Sequence, residues 1–416
     1  MEERKGNLFR IINLGRASED QTHGFHQYTQ PALSLLLVQD RNELIILPNA
    51  EPLKQMKTFF EETLWDGQTV NCIFSDKQYY SIDAGISNDD GLFEEIKKQL
   101  SFFVKAEGTI DLISFAPTPE IEEWTKCLPY KVVHNFDSAL FRKKYSSKNI
   151  FHRLISEPDK PALIEHLPLR IPRGYVAQSQ KEIVVACEKL SSEGVDNILA
   201  KPSNQSAGIG IKDIRSNDDI EGLSTDVEYL LEEKLVLDED AYGKKSNCGV
   251  AFHDNQVFGV WRQLLNGDAY MGAIYPFGGA DTLNDDILRQ IHTFKDFMIT
   301  KGMKKDGGID FIISNNQAFL VDNNLGRMTG THSAIFFQRL YVPDTPFAYF
   351  DLGKIGLNIF EVWEILRQKN MALDINRKQG VFPVCWMPNI CAEMIAFAPT
   401  PLDAHELMSE MRTLFT

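Results

Sequence analysis

Hydrophobic and polar positions alternate with two different periods along this chain, and the alternation predicts a mixed α/β protein. Up to about residue 135, apolar runs of strand length, such as Leu44–Leu47 and Asn71–Phe74, are separated by segments with helical spacing, such as Phe93–Val104. Such runs are typical of buried strands covered by helices. We therefore expect an N-terminal α/β domain over residues 1–135.

The pattern changes near residue 136. A helix rich in Lys and Arg is predicted over Phe141–Ile155, and a second helix over Lys181–Leu190 precedes a strand at Asn197–Pro202. Further strands and a helix follow to about residue 345, and the remainder forms a smaller α/β piece. The predicted domains are 1–135, 136–235, 236–345 and 346–416.

Composition restricts the partners. The 416 residues are 43% hydrophobic and 24% charged, as in globular proteins, and the formal charge is −15. This charge disfavours sequence-independent binding to nucleic acid or anionic membranes, since both require clustered Lys and Arg. The chain shows neither a secretory signal nor an apolar run near the ~20 residues that span a bilayer. We therefore expect a cytoplasmic protein without a nucleic-acid or membrane partner.

The six scattered cysteines predict reduced core thiols.

Two aspartates frame a predicted β-hairpin. The segment Asp310–Asp322 consists of two short apolar strands joined by a turn of two asparagines. Asp310 and Asp322 would then face each other with Cβ atoms roughly 5 Å apart. Asn324 returns to the same face by the two-residue period of a strand. Three hard oxygen donors suit Mg²⁺, although each acid taken alone is also explained as an ordinary turn-flanking residue.

Lys201 ends a predicted strand immediately before a loop of small residues, Ser203–Gly210. Small residues allow backbone N–H groups to approach an anion, so the loop outlines a phosphate cradle. It matches neither Gly-x-x-x-x-Gly-Lys-Ser/Thr nor Gly-x-Gly-x-x-Gly, which disfavours the standard nucleotide-binding loops. A glycine-rich surface turn stays the alternative for the loop.

A second lysine, Lys148, lies within the segment Ser146–Phe151, ahead of the unit that contains Lys201. Taken alone, it is also explained as a solvated surface charge.

The order of these features is more specific than any one of them. Along the chain they are Lys148, Lys201 with its loop, Glu232–Leu235, Asp310 and Asp322–Asn324. In this order and approximate spacing, residues 136–345 resemble the ATP-grasp superfamily. The stretch Val321–His332 is similar to the metal-binding segment of D-alanine:D-alanine ligase-like members. The resemblance implies an α/β (α+β) ATP-grasp fold, with an N-terminal pre-ATP-grasp α/β domain, a two-lobed core and a small C-terminal α/β appendage.

The resemblance also implies an ATP site. The lysines would contact the phosphates and the loop would close over them. Glu232 and the backbone near Leu235 would recognise adenine, and Glu239 would bind the ribose hydroxyls. The residues implied to bind ATP are Lys148, Lys201, Ser203, Ser206, Ala207, Gly208, Gly210, Glu232, Glu233, Leu235 and Glu239.

Metal and catalytic roles follow from the same resemblance. Asp310, Asp322 and Asn324 would hold two Mg²⁺ ions, or Mn²⁺, that bridge the phosphates; Asp322 stands where the family more often has Glu. Arg262 and Arg327 would stabilise charge on the transferring phosphoryl group. Solvated or structural arginines are the alternative for both.

The implied activity is that of an ATP- and Mg²⁺-dependent carboxylate–amine ligase. Phosphorylation gives a carboxylate a stable leaving group, and an amine then attacks the acyl phosphate to form an amide or peptide bond. Substrates would be a small-molecule carboxylate and an amine or peptide, and the C-terminal appendage is similar to that of bacterial ATP-grasp peptide ligases. A phosphotransferase and a non-catalytic ATP-binding regulatory protein stay open, as does the oligomeric state, with a homodimer one option.

Overall fold

The computed structural model describes residues 8–13, 35, 43–75, 90–104, 108–114, 119–134, 137–145, 153, 167–203, 210–224, 226–239, 245, 247–266, 269–277, 283–304, 306–326 and 330–415. Contacts within the chain define two units: residues 1–142, 304–306 and 326–416 form one, and residues 143–303 and 307–325 form the other. The finer division into four domains stays a prediction.

The first unit begins with a parallel sheet in the strand order β3-β2-β1-β4-β5. Every neighbouring pair is parallel, and the strands alternate along the chain with helices, as the sequence predicts for an α/β layer. The strands are β1 (Leu8–Asn13), β2 (Glu43–Pro48), β3 (Asn71–Ser75), β4 (Thr109–Ser114) and β5 (Lys131–His134). The accompanying helices are α1 (Glu51–Thr63), α2 (Asp90–Phe103), α3 (Pro119–Lys126) and α4 (Ala139–Tyr145). Helix α4 covers only the start of the predicted helix Phe141–Ile155, most of which lies outside the described residues.

The second unit contains a four-stranded antiparallel sheet in the order β6-β9-β7-β8. Its elements are β6 (Gly174–Ala177), α5 (Gln180–Ser192), β7 (Ile198–Pro202), β8 (Lys212–Ile214), α6 (Asn217–Glu221) and β9 (Tyr229–Glu233). Ser179 and Glu182 form a capping box that starts α5. Apolar residues of α5 and α6 pack with Ala200 and Leu231 in one core, so both helices cover the same face of this sheet.

Five further strands of the second unit pair antiparallel in the order β14-β13-β10-β11-β12. The elements are β10 (Asn247–His253), β11 (Gln256–Asn266), β12 (Ala269–Tyr275), α7 (Asp285–Thr300), β13 (Gly307–Ser314) and β14 (Gln317–Asn323). Phe294 of α7 packs on Phe252 of β10, which identifies the face that this helix covers.

The C-terminal segment completes the first unit. Strand β17 pairs antiparallel with β15 on one side and with β16 on the other. Phe382 packs on Phe59 and Phe60 of α1, so helix α1 and these strands share one aromatic core. The elements are α8 (Gly330–Tyr341), β15 (Phe347–Gly353), α9 (Ile359–Gln368), β16 (Gly380–Met387), β17 (Cys391–Phe397) and α10 (Pro401–Phe415).

All six cysteines are free thiols, and four of them are buried. The prediction of core thiols is wrong for Cys127, which is exposed, and Cys72 is half-buried. Within the described part of the chain, no helix is long and apolar enough to cross a bilayer.

Candidate functional site

Strands β13 and β14 form the hairpin that the sequence predicts. The turn residues Asn315 and Asn316 have φ values of 51° and 58°, as a two-residue type I′ turn requires. The carboxylate of Asp238 accepts hydrogen bonds from the backbone N–H of Asn315 at 2.9 Å and of Asn316 at 2.6 Å. The turn is therefore tied to the segment that follows β9.

A β-bulge aligns the two aspartates of the hairpin. Counting from the turn, Phe311 pairs with Leu320, and a regular ladder would next pair Asp310 with Val321. The register shifts at this point, so Asp310 pairs with Asp322 and Val321 is the extra residue. Directly opposed residues point to the same face. Both carboxylates therefore leave the strands on one side, here called the carboxylate face.

Asn324 joins the two aspartates. Its backbone N–H donates to the Gly308 carbonyl at 2.7 Å, which fixes the chain just beyond β14. Its side-chain Nδ2 lies 3.5 Å from Oδ2 of Asp310, and rotation of the amide by 180° presents its oxygen instead. Two carboxylates and one amide oxygen are hard donors that fit Mg²⁺. Among the described residues no group of three His, Cys, Asp or Glu side chains has metal-binding geometry, so a site here depends on the amide and on substrate or water oxygens.

Lys201 forms a buried ion pair with Glu232. Glu232 of β9 lies opposite Leu199 of β7, and Lys201 is two residues further along β7, so the two charged side chains share a face. The alternate residues Ala200 and Leu231 point into the core under α5 and α6. The ion pair therefore lies on the sheet face away from these helices. Only 11% of the Lys201 side chain and 2% of the Glu232 side chain are exposed.

Two positions at the ends of the predicted phosphate loop are described. The backbone N–H of Ser203 donates to the Glu228 carbonyl at 2.8 Å, which anchors the loop start. Gly210 is exposed and has a φ of 76°, a conformation that favours glycine. The other loop residues Ser206, Ala207 and Gly208 lie outside the described residues, as do Lys148 and Arg327.

Glu233 points away from the Lys201–Glu232 pair, because successive residues of a strand face opposite sides. Its carboxylate accepts hydrogen bonds from Arg173 Nε at 2.8 Å and Nη2 at 3.2 Å. The hydrogen bond from Arg173 holds the pKa of Glu233 below its usual value. Glu233 and Leu235 line a cleft of about 540 Å³ that also reaches Arg170 and Phe319.

The last predicted ATP contact, Glu239, is exposed and forms an isolated β-bridge with Lys245. The structure thus brings Lys201 together with Glu232, and Asp310 together with Asp322 and Asn324. It does not bring the Glu233 carboxylate to the face of Lys201.

Arg262 leaves strand β11 on the side opposite to Asp310. Gly249 of β10 pairs with Asp310 of β13 and with Trp261 of β11, so these three residues share a face. Arg262 is the next residue of β11 and pairs with Cys248, so it faces the other way. Arg262 is buried, with 5% exposure, and does not share the carboxylate face. Trp261 does share it, which sequence reasoning missed because no local pattern distinguishes the inward-facing residue of a strand buried on both faces.

No family model matches this sequence, and no curated protein shows significant sequence similarity to it. Comparison of structures does find similar proteins. An N5-carboxyaminoimidazole ribonucleotide synthetase in complex with ADP matches 98% of this chain and 97% of its own, with a TM-score of 0.58 and 13% identity. The synthase from Aspergillus clavatus, solved with ADP and 5-aminoimidazole ribonucleotide, matches 98% of both chains, with a TM-score of 0.56 and 12% identity.

A third similar structure is biotin carboxylase from Campylobacter jejuni in a complex with β,γ-ATP. It covers 98% of this chain and 91% of its own, with a TM-score of 0.55 and 12% identity. All three are ATP-grasp enzymes. At these identities the likeness concerns the fold, and it confirms the fold implied by the order of Lys201, Asp310 and Asp322: the chain has the ATP-grasp fold.

Proposed function

We propose that this protein is an ATP- and Mg²⁺-dependent carboxylate–amine ligase, which forms an amide or peptide bond through an acyl phosphate and releases ADP and phosphate. The observation that carries the proposal is the convergence of Asp310, Asp322 and Asn324 on one face of an ATP-grasp fold. A non-catalytic ATP-binding module has no need of such a donor set, because nucleotide binding alone does not require charge neutralisation at a transferring phosphoryl group.

Each of the residues at the site has a proposed role in binding the metal or ATP. Asp310, Asp322 and Asn324 would hold Mg²⁺, which when bound neutralises phosphate charge. Lys201 would contact the ATP phosphates, and Glu232, beside it, would recognise adenine. A buried Lys–Glu pair presents both side chains in fixed positions, because neither charge can leave its partner at low cost. We also propose, on the resemblance alone, that the loop from Ser203 to Gly210 excludes water from the acyl phosphate.

Similar structures support the nucleotide and metal assignment. The biotin carboxylase domain of a 2-oxoglutarate carboxylase from Hydrogenobacter thermophilus, with a TM-score of 0.55, was solved with MgADP and bicarbonate. Bicarbonate is itself a small carboxylate-like acceptor of phosphate, so it belongs among the substrates to be tested. The carboxylate and the amine of the present protein are proposed as small molecules, with a short peptide as the alternative amine.

The test is Mg²⁺- and ATP-dependent phosphate release against a panel of amino acids, guanidino acids, short peptides and bicarbonate. We expect release that requires a specific carboxylate–amine pair, with a product mass equal to the pair minus one water. Hydroxylamine in place of the amine should trap the acyl phosphate as a hydroxamate. Phosphate transfer to a hydroxyl without an amine would instead establish a phosphotransferase, and tight ATP binding without turnover would establish a regulatory module.

A further inference from the structure

The indole of Trp261 on β11 fills the position that a side chain at residue 249 of the neighbouring strand β10 would occupy. Residue 249 is glycine, and a Cβ built there would lie 2.3 Å from Cε2, 2.4 Å from Cζ2 and 2.5 Å from Nε1 of the Trp261 indole. Such distances are far below van der Waals contact. The indole edge that carries the N–H therefore lies directly over the backbone of Gly249, where every other residue would place a side chain.

This arrangement places the indole beside the metal-ligand candidates. Gly249 pairs with Trp261 on β11 and with Asp310 on β13, and Asp310 pairs with Asp322 on β14. The four residues form one row across four strands, and all point to the carboxylate face. Opposed Cβ positions on neighbouring strands are roughly 5 Å apart. The indole edge at the Cβ position of Gly249 is thus the immediate neighbour of the Asp310 side chain.

Asp310 is enclosed on three sides as a result. The indole lies on its β10 side, the carboxylate of Asp322 lies on its β14 side, and the amide of Asn324 lies 3.5 Å from its Oδ2. Without such neighbours, the side chain of an aspartate on a strand can occupy any of three staggered χ1 rotamers. Trp261 is 3% exposed, so its indole is packed on all sides and has little freedom to leave this position.

We propose that Trp261 is a positioning residue for the metal site, which holds the Asp310 carboxylate toward Asp322 and Asn324 by filling the side-chain space above Gly249. The inference rests on the proposed function, because it concerns the same Mg²⁺ site. Its physical basis is preorganisation: a ligand that is already in its binding rotamer loses less conformational freedom when the ion binds.

Metal binding tests this role without turnover. Mn²⁺ is titrated into the protein with ADP present, free Mn²⁺ is read from its electron paramagnetic resonance signal, and a titration of the same ADP without protein corrects for Mn²⁺ held by the nucleotide alone. The variants are Trp261→Leu, Trp261→Phe and Asp310→Asn. The matched control is Trp124→Phe, since Trp124 is also buried but belongs to the core of the parallel sheet.

We expect Trp261→Leu to raise the Mn²⁺ dissociation constant roughly tenfold or more, as loss of a residue that orients a metal ligand does. Trp261→Phe should recover part of the affinity, Trp124→Phe should match the wild type, and Asp310→Asn should abolish binding. In turnover, the Trp261 variants should need more Mg²⁺ for half-maximal rate while kcat at saturating Mg²⁺ stays within about twofold. A merely structural change would lower kcat and leave the Mg²⁺ requirement unaltered.

Wild-type Mn²⁺ affinity in both Trp261 variants, alongside its loss in Asp310→Asn, would overturn the positioning role and leave the proposed function intact. Trp261→Phe keeps a buried ring, so it carries the test if Trp261→Leu does not fold. Absence of Mn²⁺ binding by the wild type itself would overturn both proposals.

Discussion

Asp310 of β13 lies directly opposite Asp322 of β14, and the single extra residue Val321 is what aligns them. Two carboxylates that share a face repel each other unless cations lie between them. A cation between the two carboxylates would relieve this repulsion, which is the electrostatic argument for the Mg²⁺ site that we propose here.

If the proposed function is correct, replacing either aspartate should strongly reduce Mg²⁺-dependent turnover. Asp310→Asn and Asp322→Asn each keep the shape of the side chain but remove one charge from the site. We expect Mg²⁺-dependent turnover to fall by about 100-fold or more, since metal-ion stabilisation of transferred charge contributes several kcal/mol. Both variants should gain thermal stability in metal-free buffer. The control is Asp344→Asn, which alters an exposed aspartate of the first unit with a φ of 63° that asparagine tolerates. Equal turnover in all three variants would contradict the assignment.

The Lys201–Glu232 pair should show strong non-additivity in stability. Lys201→Met leaves the Glu232 carboxylate buried beside an apolar side chain, and such single truncations cost about 3–5 kcal/mol. Adding Glu232→Gln removes the stranded charge, so the double variant should be more stable than Lys201→Met alone. Urea denaturation of the wild type, both single variants and the double variant measures this coupling.

The exposed Arg173–Glu233 ion pair is the control for this double-mutant cycle of Lys201 and Glu232. Its arginine side chain is 47% exposed, and exposed ion pairs contribute at most about 1 kcal/mol. A cycle of Arg173→Met and Glu233→Gln should therefore show weak coupling. If the Lys201 cycle gave an equally weak coupling, the buried pair would not be the fixed element that we assign to the ATP site.

Asp238 should stabilise the hairpin turn from a distance in sequence. Asp238→Ala removes the acceptor of two N–H groups at Asn315 and Asn316, and hydrogen bonds to charged groups contribute about 1.5–3 kcal/mol each. We expect a loss of about 2 kcal/mol in the free energy of unfolding, since the site is half-exposed. Hydrogen exchange at the amides of both asparagines should accelerate. Asn315→Gly should be nearly neutral, because glycine accepts the positive φ.

A buried glutamate opposite a half-buried aspartate should make the stability of the first unit depend on pH. Glu393 of β17 lies opposite Asp351 of β15 and accepts a hydrogen bond from the hydroxyl of Tyr349. Burial raises the pKa of the Glu393 carboxyl to about 8. Burial also raises the pKa of Asp351, although the hydrogen bond from the Gly353 N–H and the charge of Arg412 both act to lower it. Cys385 of β16 faces Glu393 from the other side.

The sign of this dependence follows from the raised pKa. Below the ordinary value of 4.5 Glu393 is neutral in both states, and above it only the unfolded chain loses the proton. Stability is therefore greatest below the unfolded pKa and is lost as pH rises through about 8. We expect the melting temperature to fall by at least about 5 °C between about pH 6 and pH 9. Glu393→Gln should flatten the curve, and an unchanged slope in that variant would assign the dependence to other groups.

The local pattern of the sequence determined the elements and the order of the site residues. The two-asparagine turn, the start of α3 at Pro119 and the hairpin around Asp310 are set by residues within a few positions of each other, so periodicity and turn chemistry predict them. The order of Lys148, Lys201, Glu232–Leu235, Asp310 and Asp322–Asn324 was sufficient to predict the ATP-grasp fold, because a resemblance in the order of residues does not depend on knowing which side chains meet in space.

Only the tertiary structure decided which side chains share a face. Glu232 reaches Lys201 because β9 pairs with β7 rather than with its neighbour in sequence. The bulge in the hairpin also has a partner far away in sequence, since the N–H of Leu320, next to the bulge, donates a hydrogen bond to the Arg170 carbonyl. The row from Trp261 to Asp322 likewise requires four strands in register. Strand pairing joins distant segments, and a shift of one residue turns a side chain to the opposite face, so no local pattern contains this information.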